Sequence, residues 1–543
     1  MDIKIINGTI VDGTGQARYK GDIGITGDTI SDIGDLSAAE AGYTIDAAGK
    51  IVSPGFIDVH THSDFSIIFD GSAASRLYDG VTSDVIGNCG IGGAPVNDET
   101  RDLLRSYLVT RIAGSVPVAD LGLKWNSFGE YLEFLDSCPK GINIIPLLSH
   151  GAVRIEAMGF SDSRPSQSEL ERMKRNIRES MEAGACGFSS GLVYLPGMYA
   201  DAEELTELSR VAAEFGVKYI THMRNEGNTI CEALEEAAAI GRDSGAGLHV
   251  SHIKLASPKV WGKADRYIEA LQKYADSGLD ISYDCYPYVC GMGPLAGQIP
   301  GWCLKDGGVS KMLEILADPA QCERVKAEMR AGMSAWYSGD CEEAWTHFWI
   351  VNVTSESGKW MEGLSFPELA ERCGTDIPTA ICDALIREKG KVQIRMEAML
   401  ESDMEKLLSM KDTMVGSDSM CMSNEGIMKG GMTHPRAYGT HGIVLRKYVR
   451  EKGLFTLESA VRKMSALPAQ MTRLDRRGLL KKNYFADVLV FDEDSFRDNA
   501  TYAQPKLYSS GMDHVIVNGK VAIKNGEYVS GSQSGRVLRR KGC

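Results

Sequence analysis

Two histidines on alternate residues, His60 and His62, follow an apolar stretch that begins at Phe56. Such a stretch is typical of a β-strand, and side chains two residues apart in a strand lie on the same face. Both imidazoles can therefore reach one metal ion, since neutral imidazole is a common ligand for zinc and related metals. An isolated pair could equally be hydrogen-bonded histidines of the core or the surface, so the interpretation depends on the rest of the chain.

Four more potential metal ligands stand where other apolar segments end. Taken singly, each could be an ordinary core thiol, a hydrogen-bonded ring or a capping carboxylate. In a closed barrel, however, the C-terminal ends of the parallel strands meet on one face, where barrel enzymes hold their active sites. The shared placement therefore predicts one site around one or two metal ions, built from His60, His62, Cys89, His222, His252 and Asp418.

Short apolar segments alternate with amphipathic patterns through the middle of the chain, as in βα units on a parallel sheet. The clearest helix signal is Asp201, an N-cap with Glu204 three residues on, followed by helical spacing that ends at Gly216. Further helices are predicted near 229–240 and 264–276. Eight strands are predicted, enough to close a (β/α)8 TIM barrel, at about 56–62, 81–88, 142–150, 185–191, 217–222, 247–252, 280–286 and 413–418.

Both ends of the chain carry short β-rich segments separated by turn signals, which predicts one small β-domain built from both termini, residues 1–53 and 479–535. The barrel is expected over 54–478. Roughly 130 residues separate strand seven from strand eight, too many for a bare loop. We expect an insertion after strand seven, at about 290–410, that forms a lid or subdomain, with a Gly-Pro-rich opening and a helical segment at 363–410.

Composition limits the class of protein. A net charge of −14 argues against a general nucleic-acid or anionic-membrane surface. No apolar run approaches the roughly 20 residues of a spanning helix, and the first residues lack the basic head and apolar core of a signal peptide. The 13 cysteines are an odd number without a CxxC pair, which favours reduced thiols. The sequence therefore predicts a cytoplasmic protein, and it does not indicate an oligomeric state.

In its motifs the chain resembles the amidohydrolase superfamily, and within it the N-acyl-D-amino-acid deacylases, or D-aminoacylases. The resemblance runs over nearly the whole chain. The HxH pair marks only the superfamily, whereas the cysteine after strand two combined with HPR after strand eight is much more selective. The motifs are PGFIDVHTHSD at 54–64, GNCG at 87–90, THMRNE at 221–226, SHIK at 251–254, GSD at 416–418 and HPR at 434–436.

The resemblance implies a zinc ion held tightly by Cys89, His222 and His252. It implies a second, weaker metal position at His60 and His62, with Cys89 able to bridge the two. Zinc held by one thiolate and two imidazoles keeps a position open for water and lowers the pKa of that water towards about 7.

A carboxylate beside the water can take its proton and later return it to the leaving nitrogen, a role that the resemblance gives to Asp418. The resemblance also implies four substrate contacts, and arginine is well suited to a free α-carboxylate. These are Arg436, Lys254, Tyr194 and Tyr286.

The leading hypothesis is therefore zinc-dependent hydrolysis of small N-acyl-D-amino acids, with the chirality implied by the resemblance alone. The alternative is a cyclic-amide hydrolase, similar to hydantoinases and dihydropyrimidinases. Those superfamily members bridge two metals with a carboxylated lysine on strand four, and the segment 185–191 has no lysine. A third possibility, a metal-free scaffold protein on the same barrel, predicts gaps in the set of ligands, and none of the six positions is missing.

Overall fold

A computed structural model describes residues 1–112, 122–305, 308–331, 345–429 and 433–540. Its strands, numbered in chain order, are β1 Ile3–Ile10, β2 Tyr19–Thr26, β3 Thr29–Gly34, β4 Tyr43–Asp46, β5 Ile51–Pro54, β6 Phe56–Asp58, β7 Val81–Ile86, β8 Asn143–Pro146, β9 Leu148–Ser149, β10 Phe188–Gly191, β11 Tyr219–His222, β12 Leu248–Val250, β13 Ile281–Cys285, β14 Cys290–Pro294, β15 Phe348–Val353, β16 Val392–Glu397, β17 Thr413–Val415, β18 Val488–Phe491, β19 Met512–Val517, β20 Lys520–Lys524 and β21 Glu527–Tyr528.

All eight predicted barrel strands are present, the third of them divided into β8 and β9. One parallel set runs β6-β7-β8 and the other runs β9-β10-β11-β12-β13-β17. The amide of Leu147 donates to the Ile86 carbonyl at 3.0 Å and joins the two sets on one side. A parallel bridge between Thr61 and Ser419 joins the first and last strands on the other side. The sheet therefore closes, and the predicted (β/α)8 barrel is confirmed.

Amphipathic helices surround the barrel. The predicted N-cap at Asp201 is confirmed, since its carboxylate accepts the amide of Glu204 at 2.9 Å. None of the helices in the described residues is long and apolar enough to cross a membrane. The α-helices are Ser66–Phe69, Ala74–Tyr78, Arg101–Ile112, Phe128–Ser137, His150–Met158, Gln167–Glu182, Ala202–Glu214, Ile230–Ser244, Ala264–Asp276, Gly308–Ala317, Pro319–Arg330, Phe366–Cys373, Ile377–Arg387, Glu401–Ser409, Arg436–Ile443, Leu457–Met464 and Ala466–Met471, with a π-helix at Val444–Glu451.

The interior of the barrel is apolar below the strand ends. Buried side chains from separate strands pack against one another there, as in other filled barrels. They include Ile57, Val85, Ile145, Ile220 and Met414. This packed layer fixes the strand ends at which the polar residues emerge.

Strands from both ends of the chain share one sheet, in the order β21-β20-β19-β18-β5-β1-β2-β3, with β4 paired to β1. The two ends meet where β5 pairs antiparallel with β18, Val52 opposite Val490. Isoleucines and valines from both ends form its buried core. On this basis we propose residues 1–53 and 479–535 as the small β-domain and 54–478 as the barrel unit.

The segment between β13 and β17 contains a three-stranded antiparallel sheet in the order β14-β16-β15. One expectation for it was wrong in part, because the predicted helical segment 363–410 contains strand β16 between its helices. The Gly-Pro-rich opening forms strand β14, which was not predicted. The alternation of buried Val392, Ile394 and Met396 with less apolar neighbours explains β16. Residues 306–307 and 332–344 of this insertion lie outside the described residues, and its role as a lid stays a proposal.

Candidate metal centre

Six side chains converge at the C-terminal ends of the barrel strands. They are the six predicted from the sequence, and they emerge after β6 (His60 and His62), after β7 (Cys89), from the end of β11 (His222), after β12 (His252) and after β17 (Asp418). Three overlapping groups have all their ligand atoms within 4.8 Å of one another. These groups are His60 with His62 and Cys89, Cys89 with His222 and His252, and His60 with His252 and Asp418.

Cys89 stands at the middle of the cluster. Its Sγ lies 3.2 Å from His60 Nε2, 3.3 Å from His252 Nε2 and 3.8 Å from His222 Nδ1. Burial opposes ionisation of this thiol, but the imidazoles of His60 and His252 outweigh that effect and hold the pKa of Cys89 well below its usual range. The thiolate is the form of cysteine that binds metals. One thiolate with two or more imidazoles is a donor set that fits zinc.

Three of these residues have left-handed backbone conformations that non-glycine residues rarely adopt. The φ angles are 55° at Cys89, 36° at His252 and 50° at Asp418. Each such residue costs about 1–3 kcal/mol, and such strain persists where the surrounding structure holds it. Here the backbone turns sharply as it leaves a strand, so that the side chain points toward the centre of the barrel. A glycine is required at position 191, next to the turn at Cys89, because a Cβ there would lie 2.1 Å from the Cys89 carbonyl oxygen.

A carboxylate whose side chain is 10% exposed, and which the sequence did not reveal, joins the outer nitrogens of two of these histidines. Glu226 places one oxygen 3.3 Å from His222 Nε2 and the other 2.9 Å from His252 Nδ1. Burial opposes its ionisation, but His222, Lys254 and His252 lower the pKa of Glu226 to about 2. Such outer carboxylates orient metal-binding imidazoles and raise their basicity. Its position four residues after His222, in the THMRNE motif, was the available signal.

Asp284, at the end of β13, supports the cluster from the opposite side and was also missed. One of its oxygens lies 3.3 Å from His60 Nδ1 and 2.8 Å from His249 Nε2. The other accepts the amide of His252 at 3.0 Å. His249 thus contacts the same carboxylate oxygen as His60. Gly416 gives His60 its space, since a Cβ there would lie 2.6 Å from His60 Cβ.

Asp418 faces the cluster and is held by a cation. Its Oδ1 lies 3.1 Å from His62 Nε2 and 3.7 Å from His60 Nε2, while Oδ2 accepts from Arg436 Nη1 at 2.8 Å. Burial opposes ionisation, but Arg436 and then His62 hold the pKa of Asp418 well below its usual range. The side chain is therefore an ionised base directed at the space between the potential metal ligands.

The four residues expected to contact substrate surround this space. Lys254, Tyr194 and Tyr286 line a cavity of about 80 Å³ together with His222, His252 and Asp418. The Arg436 guanidinium lies 5.1 Å from the centroid of the Tyr286 ring. Both cations are already paired with protein carboxylates, Arg436 with Asp418 and Lys254 with Glu226 at 2.5 Å. An anion that bound to either cation would therefore share or exchange this partner.

Known proteins resemble the chain along nearly its whole length. A family described as the amidohydrolase family matches residues 43–281 and 386–523. N-acyl-D-glutamate deacylase of Alcaligenes xylosoxydans xylosoxydans is 35% identical over 99% of this chain and 97% of that protein. The D-aminoacylase of the same organism is 31% identical over 99% of this chain and 98% of that protein.

A solved structure shows the same fold. The crystal structure of N-acyl-D-glutamate deacylase from Bordetella bronchiseptica matches with a TM-score of 0.81 and 32% sequence identity, over 99% of both chains. That protein is in complex with zinc and a phosphonate inhibitor that mimics the tetrahedral intermediate of its reaction. The zinc in this relative agrees with the sulfur and nitrogen donors that converge here.

Proposed function

This chain belongs to the amidohydrolase family, and from that premise we propose that it hydrolyses the amide bond of N-acyl-D-amino acids to a carboxylate and a free D-amino acid. The observation that carries the proposal is the cluster of Cys89, His222 and His252 beside the ionised Asp418. Two relatives that cover the chain from end to end are named for this activity, as N-acyl-D-glutamate deacylase and D-aminoacylase.

Cys89, His222 and His252 would hold one zinc ion tightly, because a thiolate is the strongest donor here and Glu226 orients both imidazoles. His60 and His62 would hold a second metal more weakly, with Cys89 shared. When bound, zinc lowers the pKa of a coordinated water and polarises the amide carbonyl. The protein supplies the orientation of the ligands and the base.

Asp418 is the proposed general base and acid. Its ionised carboxylate can take a proton from the attacking water as the carbon–oxygen bond forms. The same carboxyl group then returns that proton to the nitrogen as the carbon–nitrogen bond breaks, so one proton moves from water to the amine. Arg436 keeps Asp418 in place through its 2.8 Å contact.

The α-carboxylate of the substrate is expected at Arg436 and Lys254, with Tyr194 and Tyr286 beside it. A planar guanidinium offers two parallel donors to a carboxylate, which a lysine ammonium cannot do. The Tyr286 ring lies 5.1 Å from the Arg436 guanidinium, within the range of a cation–π contact. The cyclic-amide alternative gains no support, since β10 carries no lysine that could bridge two metals.

The proposal is tested by assaying a panel of N-acetyl-D- and N-acetyl-L-amino acids on a sample whose zinc content is measured in parallel. Hydrolysis confined to the D series, with zinc present, is the expected result. A zinc-loaded sample that hydrolyses no acyl amino acid of either series would overturn the proposed function.

A further inference from the structure

A second cavity, of about 260 Å³, adjoins the one at the metal centre, and Met292 lines both. It lies between the sheet of the insertion and the loop that carries the HPR motif. Its other principal residues are Trp349, Glu362, Arg395, His434 and Tyr502. Nothing in the mechanism proposed above uses this space.

Arg395 is the cation of this second cavity. It pairs across the sheet with Met292 on β14 and with Trp349 on β15, so the three side chains lie on one face. Its guanidinium lies 4.2 Å from the centroid of the Trp349 ring and 4.9 Å from that of Tyr502. Two aromatic rings therefore hold the guanidinium plane, as in other cation–π contacts.

Within the described residues this guanidinium makes no ion pair, and its buried Nε has no hydrogen-bond partner. The carboxylate that shares the cavity is engaged elsewhere. Glu362 accepts the amide of Val353 at 3.0 Å and the ammonium of Lys359 at 3.1 Å, both through Oε1, and it makes no ion pair with Arg395. Arg395 thus offers its donors without a matching acceptor in the described part of the chain, and such partly buried donors are costly unless a ligand satisfies them.

His434 supplies a second donor to the same cavity. It is buried, and its Nδ1 accepts the amide of Arg436 at 3.0 Å. The ring hydrogen is therefore on Nε2, which makes no hydrogen bond of good geometry among the residues the structure describes, although the Cys290 backbone lies near the ring. The same histidine connects this cavity to Arg436, the residue proposed for the α-carboxylate.

We propose that this cavity binds a second carboxylate of the substrate, through Arg395 and His434, so that the enzyme prefers acyl amino acids carrying two acidic groups. The inference rests on the proposed function. The second carboxylate could belong to the amino-acid side chain or to the acyl group, since both extend from the same scissile amide. Aromatic walls and a fixed guanidinium make the cavity selective for an anion over a neutral amide of equal size.

The test compares two matched substrate pairs on the zinc-loaded enzyme. N-acetyl-D-glutamate against N-acetyl-D-glutamine probes the side chain, and N-succinyl-D-leucine against N-butyryl-D-leucine probes the acyl group. We expect kcat/KM to favour the anionic member of one pair by about 10- to 100-fold. Arg395→Met should abolish that preference while changing kcat/KM for the neutral member less than about threefold, and Arg395→Lys should retain part of it.

Arg372→Met is the matched control, because Arg372 also lies over a tryptophan of the insertion, 5.0 Å from the Trp360 ring, but is absent from the cavity lining. It should leave both ratios unchanged. Equal rates within both pairs, or an equal loss on anionic and neutral substrates in Arg395→Met, would overturn the inference while the deacylase activity stands. Absence of all deacylase activity in the unaltered, zinc-loaded enzyme would instead overturn the proposed function.

Discussion

At the scale of single residues, Cys89 connects the two proposed metal positions. Its sulfur is the one donor shared between the group that contains His60 and His62 and the group that contains His222 and His252. The histidines on the two sides are supported differently, since Glu226 contacts both outer nitrogens of one pair. Asp284 contacts only His60 of the other pair. The two positions should therefore differ in affinity.

On the proposed assignment, Cys89→Ala should lose the tightly bound zinc, whereas His60→Asn should keep most of it, because His60 is assigned to the weaker position. The measurement is zinc per chain by elemental analysis, before and after dialysis against a chelator. Equal loss of zinc from the two variants would contradict the assignment of the tight position to Cys89, His222 and His252.

Arg436→Met should raise KM for N-acyl amino acids by about 10- to 100-fold, because it removes the charge-assisted contact proposed for the α-carboxylate. KM for the corresponding N-acyl amino amides should change much less, since they carry no α-carboxylate. The value of kcat should fall for both, because Arg436 also holds Asp418. The comparison of KM is therefore the decisive measurement, and an equal rise for acids and amides would refute the role.

At the scale of elements, the buried Arg76 connects the first two barrel strands with the loop that contains Asp418. Arg76 contacts Asp58 at 3.2 Å and Asp84 at 3.1 Å, and it donates to the Ser419 carbonyl at 2.9 Å. Asp58 in turn accepts the amide of Ser417 at 2.8 Å. The residues on both sides of the strained Asp418 backbone are thus fixed by one network. Burial raises the pKa of Asp84 to about 6 even beside Arg76.

Arg76→Met should lower the free energy of unfolding by about 3–5 kcal/mol, because it leaves buried carboxylates without their cation. Adding Asp84→Asn should restore part of that loss by removing one of the uncompensated charges. Urea denaturation of the single and double variants measures both effects. A single variant as stable as the parent, or a double variant less stable than the single, would contradict this account of the network.

The strands on which the site residues lie explain which parts of the fold and of the candidate site could be predicted from the sequence. His60, Cys89 and His252 were predictable because each stands at the end of an apolar strand, and closing the barrel brings strand ends together. Glu226 and Asp284 were missed because their contacts appear only once the barrel has closed. Strand β14 was missed because its sequence, CGMGP, contains no β-branched residue and reads as a turn. Its place in the sheet comes from pairing with β16.

At the scale of the whole molecule, the sheet that joins both ends carries a buried histidine. His514 on β19 is 7% exposed, and its Nδ1 has no hydrogen-bond partner within the described residues. Burial, with Lys50 and Lys524 nearby, lowers the pKa of His514 from 6.5 to about 4. The folded state therefore favours the neutral ring more strongly than the unfolded state does.

As the pH drops, the His514 ring takes up a proton in the unfolded chain before it does so in the folded one. The free energy of unfolding should therefore fall by up to about 3 kcal/mol between pH 6.5 and pH 4. The stabilisation is complete above pH 6.5 and is lost as the pH falls through the folded pKa. Urea denaturation from neutral pH to about pH 4 measures the slope. His514→Gln, which cannot titrate, should flatten that part of the curve, and an unchanged slope in this variant would exclude His514 as its source.

The pairing of β5 with β18 also has a consequence for biosynthesis. Strand β5 leaves the ribosome early, but Val488, where β18 begins, emerges only after the entire barrel sequence has been translated. Until then β5 has an unpaired edge beside the first barrel strand, and exposed strand edges favour association with other chains. Expression yield should therefore depend on slow synthesis or chaperone protection during translation, more than on the stability of the finished enzyme.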